Sequence, residues 1–289
     1  MNKVNNFANI AYKAHQSALS GEDLMLPSSI SRLTQAGLND IHSPEDFNII
    51  CHSVGDEIGI LMSWWLDSIA CYLMAKKQWT NVKCFYYDIG QPYKDKELKA
   101  IYEVIGDDSL HIITEYKLTS KWEKYDWWDF IFPLRNMVLI LDAAERIYWG
   151  EIYFGVVDWE LKKEGCGDKG IEFIRELSVT LKSYPFPVLL NIPLAKMTKS
   201  DIVKWYIDNW YKKELHLTMS CLNWEDWHCW KCQSCLKKYL AFLHNGEELK
   251  TNSDVRLLKD LIKSYWERTS DNNVGEKFVK EMRESINLL

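Results

Sequence analysis

The chain has 289 residues, with 47% hydrophobic and 26% charged side chains, which excludes global disorder and a disulfide-stapled mini-fold. A formal net charge of −6 gives no basic footprint for a phosphate backbone, so direct nucleic-acid binding is not expected. No apolar run approaches the ~20 residues that span a bilayer, and the polar start carries no signal-peptide core, so a soluble, cytoplasmic protein with reduced thiols is expected.

Residues 1–55 read as a helical extension broken by Ser-Gly, Pro and Asn-Asp signals. From Glu57 the pattern becomes β-α: strand Glu57 to Met62, helix Leu66 to Lys77, strand Val82 to Tyr87, helix Lys94 to Ile105 with Lys and Glu on its wet face, and strand Leu110 to Thr114. Helix Arg135 to Tyr148, strand Glu151 to Val157, helix Gly170 to Leu181, strand Val188 to Ile192 and helix Asp201 to Tyr211 follow. Short strands alternating with helices of 10–15 residues predict βαβ units, hence a Rossmann-like parallel sheet over 56–215. A zinc-binding segment over 216–243 and a helical tail over 244–289 complete the division. Ligands of such sheets bind beyond the carboxyl ends of the strands, so the loops there are the places to search.

The strongest local signal is Cys221, Cys229, Cys232 and Cys235, three of them at two-residue spacing. In reduced surroundings four thiolates so spaced suit tetrahedral Zn²⁺ in a closed structural site; an iron–sulfur cluster is the rival. His228, beside Cys229, reads as a surface residue rather than a fifth ligand. The loop after the first strand reads Ser63, Trp64, Trp65, Leu66, Asp67, Ser68. A phosphate cradle there needs glycines, because backbone N–H groups must approach the oxygens closely. Two indoles fill such a cradle instead, although an ordinary core loop has the same composition. Asp67 equally suits a helix N-cap.

Taken in order, these features resemble 7-cyano-7-deazaguanine synthases, zinc-containing members of the PP-loop ATP pyrophosphatase group. The family loop Ser-Gly-Gly-x-Asp-Ser aligns with Ser63 to Ser68. Its Gly-Gln aligns with Gly90 and Gln91, and its Arg-Asn at a helix start with Arg135 and Asn136. Its Gly-Val strand end matches Gly155 to Asp158, and its Pro-Asp-Cys-Arg stretch falls at Gly167, Asp168, Lys169 and Gly170. Pro-Leu then Thr-Lys matches Pro193, Leu194, Thr198 and Lys199, and Ser-Cys-x-Asn runs from Ser220 into the cysteines. The resemblance implies a Rossmann-like fold, zinc on the four cysteines, a homodimer, and a deazapurine site near Arg135, Asn136 and Asp168 with Gln91 close by. Family members use ATP to convert 7-carboxy-7-deazaguanine through an amide to a nitrile.

The departures set the expectation for function. Trp64 and Trp65 replace both glycines, Pro92 and Tyr93 replace a basic pair, and Gly167 and Lys169 flank Asp168 where Pro and Cys stand in the family. The main expectation is therefore an ATP-independent decarboxylase that turns 7-carboxy-7-deazaguanine into 7-deazaguanine for a phage-type base-modification pathway. Asp67 is the first candidate proton donor and Asp168 and Lys169 the alternatives. Ser63, Trp64, Trp65, Gln91, Arg135, Asn136 and Lys199 are the expected substrate contacts. Two alternatives remain open: an ATP-dependent amide or nitrile synthase with a rebuilt nucleotide site, and an inactive relative that binds a deazapurine or a partner protein.

Overall fold

The computed structural model describes residues 57–78, 81–91, 93–106, 110–113, 134–147, 150–162, 167–183, 188–221, 228–229 and 232–248, with scattered positions between 260 and 287. The extension 1–55 and most of the tail lie outside these residues. Five strands form the sheet: β1 Glu57–Leu61, β2 Asn81–Tyr87, β3 Leu110–Ile113, β4 Glu151–Tyr153 and β5 Leu189–Asn191. Their order is β3-β2-β1-β4-β5 and every pairing is parallel. The helices are α1 Leu66–Gln78, α2 Lys94–Ile105, α3 Arg135–Arg146, α4 Asp158–Lys162, α5 Ile171–Ser183, α6 Lys199–Asp208, α7 Lys212–Leu217 and α8 Gln233–His244, with a 3₁₀ turn at Gly167–Lys169. Among the described residues no helix is long and apolar enough to cross a membrane.

A parallel sheet covered on both faces needs apolar side chains on both, and the central strands β1, β2 and β4 supply most of them with a period of two. Ile58, Ile60, Val82, Cys84, Tyr86 and Tyr153 enter one core with α1 and α6. Phe85, Tyr87, Ile152 and Phe154 enter the other, with Ile140 of α3 and Ile174 and Leu177 of α5. Glycine is required at Gly150, where a Cβ would stand 2.2 Å from the Glu57 carbonyl oxygen.

Strand order reverses between β1 and β4, the place where an open α/β sheet splits into a crevice. The β1–α1 loop and the segment after β4 meet there. Gly155 lets them approach: its Cβ would lie 3.2 Å from the Asp67 Cβ. β4 is shorter than the expected strand to Val157. After Tyr153 the chain turns, with the Val156 N–H donating to Phe154 O and the Asp158 N–H to Met197 O, and α4 begins at once. The helix expected from Asp201 to Tyr211 starts two residues earlier and stops at Asp208. Trp210 takes a φ of 66°, and a second helix, α7, follows. The cysteine segment is built into the fold rather than appended. Met219 forms a parallel bridge with Trp65, and α8 packs on α6, where Asn245 donates to Ser200 O (3.0 Å).

Candidate functional site

The loop Ser63–Trp65 is closed on itself. Its N–H groups already have acceptors: Ser63 N–H donates to Ser68 Oγ (3.2 Å), Trp64 N–H to Glu97 Oε1 (3.1 Å) and Trp65 N–H to Ser63 Oγ (3.4 Å). The Ser63 and Ser68 hydroxyls are bonded to each other at 2.8 Å. A phosphate nest works by leaving such amides free for the anion. Here a carboxylate of the protein takes the Trp64 amide.

Trp64 is 2% exposed and its ring stacks on Tyr93 at 5.5 Å with planes 7° apart. It is a core side chain that fills its own space. Trp65 is half-buried, with the Lys199 ammonium 5.8 Å from its ring centroid. The two indoles therefore have different surroundings.

Beneath the loop, Asp67 and Lys199 form a buried ion pair, Nζ to Oδ2 3.4 Å, each side chain 9% exposed. Asp67 Oδ1 is buried and has no hydrogen-bond partner, as has Trp64 Nε1. Burying a carboxylate oxygen without a donor is costly, so Asp67 marks a point of stored electrostatic strain. α1 begins at Leu66, so Asp67 lies inside its first turn with its carboxylate on Lys199 rather than at the N-cap.

A second pair adjoins the first. Lys169 Nζ lies 2.9 Å from Glu160 Oε1, while Glu160 Oε2 accepts from Val157 N–H (3.1 Å). Burial works against the charge on Glu160, but Lys169 and Lys199 outweigh it and hold the carboxyl below its ordinary range. Burial likewise works against the Lys169 ammonium, and Glu160 and Asp67 outweigh it and raise it. Arg135, half-buried at the start of α3, is within electrostatic reach of Lys169. Asn136 is buried and donates to Asp168 O (3.4 Å), joining α3 to the 3₁₀ turn, and accepts from Arg135 Nε at 3.3 Å. Asp168 itself is half-buried.

Gln91 faces inward. Its Oε1 accepts from Ile89 N–H (2.9 Å), and its Nε2 donates to Tyr86 Oη and to Tyr87 O (3.2 Å). It shapes the loop after β2. The same network contains Glu97, which sequence reasoning placed on the wet face of α2. Glu97 is 3% exposed, accepts from Tyr86 Oη (2.9 Å), and is pushed by burial up to about 7. Its signal was its spacing, four residues before the buried Ile101 on one helix face. Glu160 was missed because α4 has only five residues, too few for a helical period.

The four cysteine sulfurs Cys221, Cys229, Cys232 and Cys235 all lie within 4.8 Å of one another. A tetrahedron with Zn–S bonds of about 2.3 Å puts its sulfurs about 3.8 Å apart, so this cluster fits zinc with little movement. Four soft donors, three of them buried, match a closed site, and zinc bound here would tie the segment after Met219 to the start of α8. His228 is not a bare surface residue: its ring nitrogens contact Cys235 and the fully buried Lys238.

The family model described as queuosine biosynthesis protein QueC matches residues 58–246. The chain belongs to the QueC family. It is similar to the 7-cyano-7-deazaguanine synthase of Campylobacter concisus, 27% identical over 63% of this chain and 91% of the relative. The enzymes of the same name from Campylobacter curvus (26%, over 64% and 92%) and Campylobacter jejuni (24%, over 63% and 91%) are also similar. The match covers the sheet, both ion pairs and all four cysteines. Within this QueC protein the side chains around the crevice fall into two linked groups, Ser63, Trp65, Asp67 and Lys199 on one side and Arg135, Asn136, Asp168 and Lys169 on the other. Glu160 connects them electrostatically.

Proposed function

We propose that this QueC-family chain acts on 7-carboxy-7-deazaguanine as an ATP-independent carbon–carbon lyase, releasing CO₂ and 7-deazaguanine. The observation that carries the reading is the occupied loop after β1, where Trp64 stacks on Tyr93 and the Trp64 amide is held by Glu97. A triphosphate would need that amide and would meet that carboxylate. Without adenylation, neither an amide nor a nitrile can form from the acid.

The chemistry that remains requires only a proton and a desolvated carboxylate. The substrate carboxylate sits on an electron-rich pyrrole carbon. Protonation of that carbon lets the C–C bond break, its electron pair restoring the ring's aromaticity as CO₂ leaves. In this reading Arg135 and Asn136 orient the heterocycle, and Trp65 supplies an apolar wall that penalises the substrate's localised charge more than the dispersed charge of the transition state. Asp67 delivers the proton. Lys199, 3.4 Å from its Oδ2, holds it in place beside the substrate carboxylate. Solvent returns the proton after CO₂ departs. Zinc on the four cysteines has a structural role.

A second reading, an ATP-dependent synthase, draws on the synthase activity of the Campylobacter relatives and on Ser63, Asp67, Ser68 and Lys199, which keep the family's residue types. One experiment separates the two. The zinc-loaded chain is incubated with 7-carboxy-7-deazaguanine, with and without Mg-ATP, and products are followed by mass spectrometry. The expected result is 7-deazaguanine in both reactions. An amide or nitrile formed only with ATP establishes the synthase, and unchanged acid in both removes the two enzymatic readings together.

A further inference from the structure

We propose that Lys238 and His228 form a relay that points the His228 Nδ1–H at the Cys235 sulfur and so completes the hydrogen bonding of the four-thiolate site. Four thiolates around Zn²⁺ carry two net negative charges, and three of these cysteines are buried. A buried dianion is tolerated only if N–H donors and a compensating cation are built around it. Three donors come from the backbone in a regular series: Cys229 N–H to Cys221 Sγ (3.4 Å), Cys232 N–H to Cys229 Sγ (3.3 Å) and Cys235 N–H to Cys232 Sγ (3.4 Å). Each sulfur accepts the amide of the next cysteine. Cys235 is the last, so the series supplies it with no such amide, and His228 Nδ1 stands 3.7 Å from its Sγ.

The proton on that nitrogen is set from behind. Lys238 is fully buried, and its Nζ has three partners: Thr218 O, Thr218 Oγ1 (2.8 Å) and His228 Nε2 (3.3 Å). An ammonium has three protons and no lone pair. Two protons go to Thr218 and the third to His228 Nε2, which must then be the imidazole's acceptor nitrogen. The ring proton therefore resides on Nδ1, the side facing Cys235. A zinc-bound thiolate has no proton to offer and can only accept, which demands the same tautomer. The ammonium also brings a positive charge to one side of the dianion. Hydrogen bonds of this kind, behind the ligands themselves, orient metal sites and tune them. The relay is independent of which reaction the crevice performs.

The test uses the full zinc-loaded chain. Long-range ¹H–¹⁵N correlation spectra of histidine-labelled protein, with the His228 signal assigned by its loss in His228→Asn, should show a protonated Nδ1 and an unprotonated Nε2. An Nε2–H tautomer overturns the proposal. Lys238→Met, which removes the cation and the donor behind His228, should accelerate zinc transfer to a competing chelator by about 10- to 100-fold. His228→Ala should accelerate transfer similarly, while His228→Asn, whose amide N–H can replace the lost donor, should restore slow release. Equal release rates in wild type, His228→Ala and His228→Asn refute the relay. Should Lys238→Met fail to fold, the wild-type tautomer and the His228 pair of variants still decide the matter.

Discussion

Glu97 illustrates what a single buried side chain does to this site. Its carboxylate accepts from the Trp64 amide and from Tyr86, and it meets Gln91 as well. Burial nevertheless dominates and pushes it up to about 7 from an ordinary 4.5. A carboxyl whose folded pKa is raised binds more protons folded than unfolded, so its contribution is fully present below about pH 4.5 and is lost as pH climbs through about 7. Glu97→Gln keeps an acceptor for the Trp64 amide and cannot ionise, but it turns an N–H toward Tyr86 Oη and Gln91 Nε2, which both donate to Glu97 Oε2. The variant should therefore lose that part of the pH dependence, so that its stability relative to wild type rises as pH climbs from about 4.5 through about 7. At about 1.4 kcal/mol per unit that relative rise is roughly 3 kcal/mol. Urea titrations of both proteins at pH 5, 6, 7 and 8 check this; parallel curves across the range rule out the assignment. Trp64→Ala opens a cavity in a packed stack and should cost about 3–5 kcal/mol in the same titrations. The cysteine cluster and the replaced loop glycines were legible as residue types at set positions. The inward turn of Gln91 was not, because a long polar side chain in a loop carries no periodic signal, and the spacing of Glu97 to Ile101 marks a shared helix face without telling a buried carboxylate from a solvated one. Only tertiary contact with Tyr86 decides where they point.

At the scale of elements, the sequence pattern located every strand among the described residues because each is a compact run of mostly apolar residues between turn signals. It missed how β4 ends. Val156 and Val157 extend the apolar run, and both are fully buried, but they are buried in a turn whose amides bond to Phe154 and Glu160. Burial and strand geometry are different properties, and periodicity reports only the first. The start of α6 was readable in principle. Thr198 and Asp201 form a capping box, with Asp201 N–H donating to Thr198 Oγ1 (3.1 Å) and Thr198 N–H to Asp201 Oδ2 (2.8 Å). The cap has a functional consequence because Lys199, the first residue of α6, is the partner of Asp67. Thr198→Ala should lower stability by about 1 kcal/mol, read as a shift in the urea midpoint. It should also loosen the Asp67–Lys199 pair, reducing turnover more than a surface substitution of equal stability cost such as one in the exposed Lys204–Asp208 pair. Equal turnover in two such matched variants separates the cap from the site.

On the scale of the whole molecule, the metal cluster and the crevice are mechanically joined. From Cys221 the chain runs back through Ser220 to Met219, whose N–H donates to Trp64 O (2.8 Å) and whose backbone bridges Trp65. From Cys235 it runs forward along α8, which packs on α6 and thus on Lys199. Both flanks of the four-thiolate site therefore end at the loop that carries the indoles and at the helix that carries the buried lysine. A closed zinc site contributes folding free energy directly, since its ligands are not preassembled in the unfolded chain. Removing the metal leaves four thiols to be buried close together and frees the segment between Thr218 and α8. Treatment with a strong chelator should release about one zinc per chain, lower the melting temperature, and expose Trp64 and Trp65 together, seen as a red shift of indole emission and faster amide exchange at Trp64 and Met219. Substrate binding should weaken in parallel, and added zinc should reverse all three changes. If the metal leaves while exchange at Trp64 and Met219 stays slow, the cluster is a local clasp for α8 alone, and the crevice owes its shape to the β1–α1 loop and the Glu97 carboxylate.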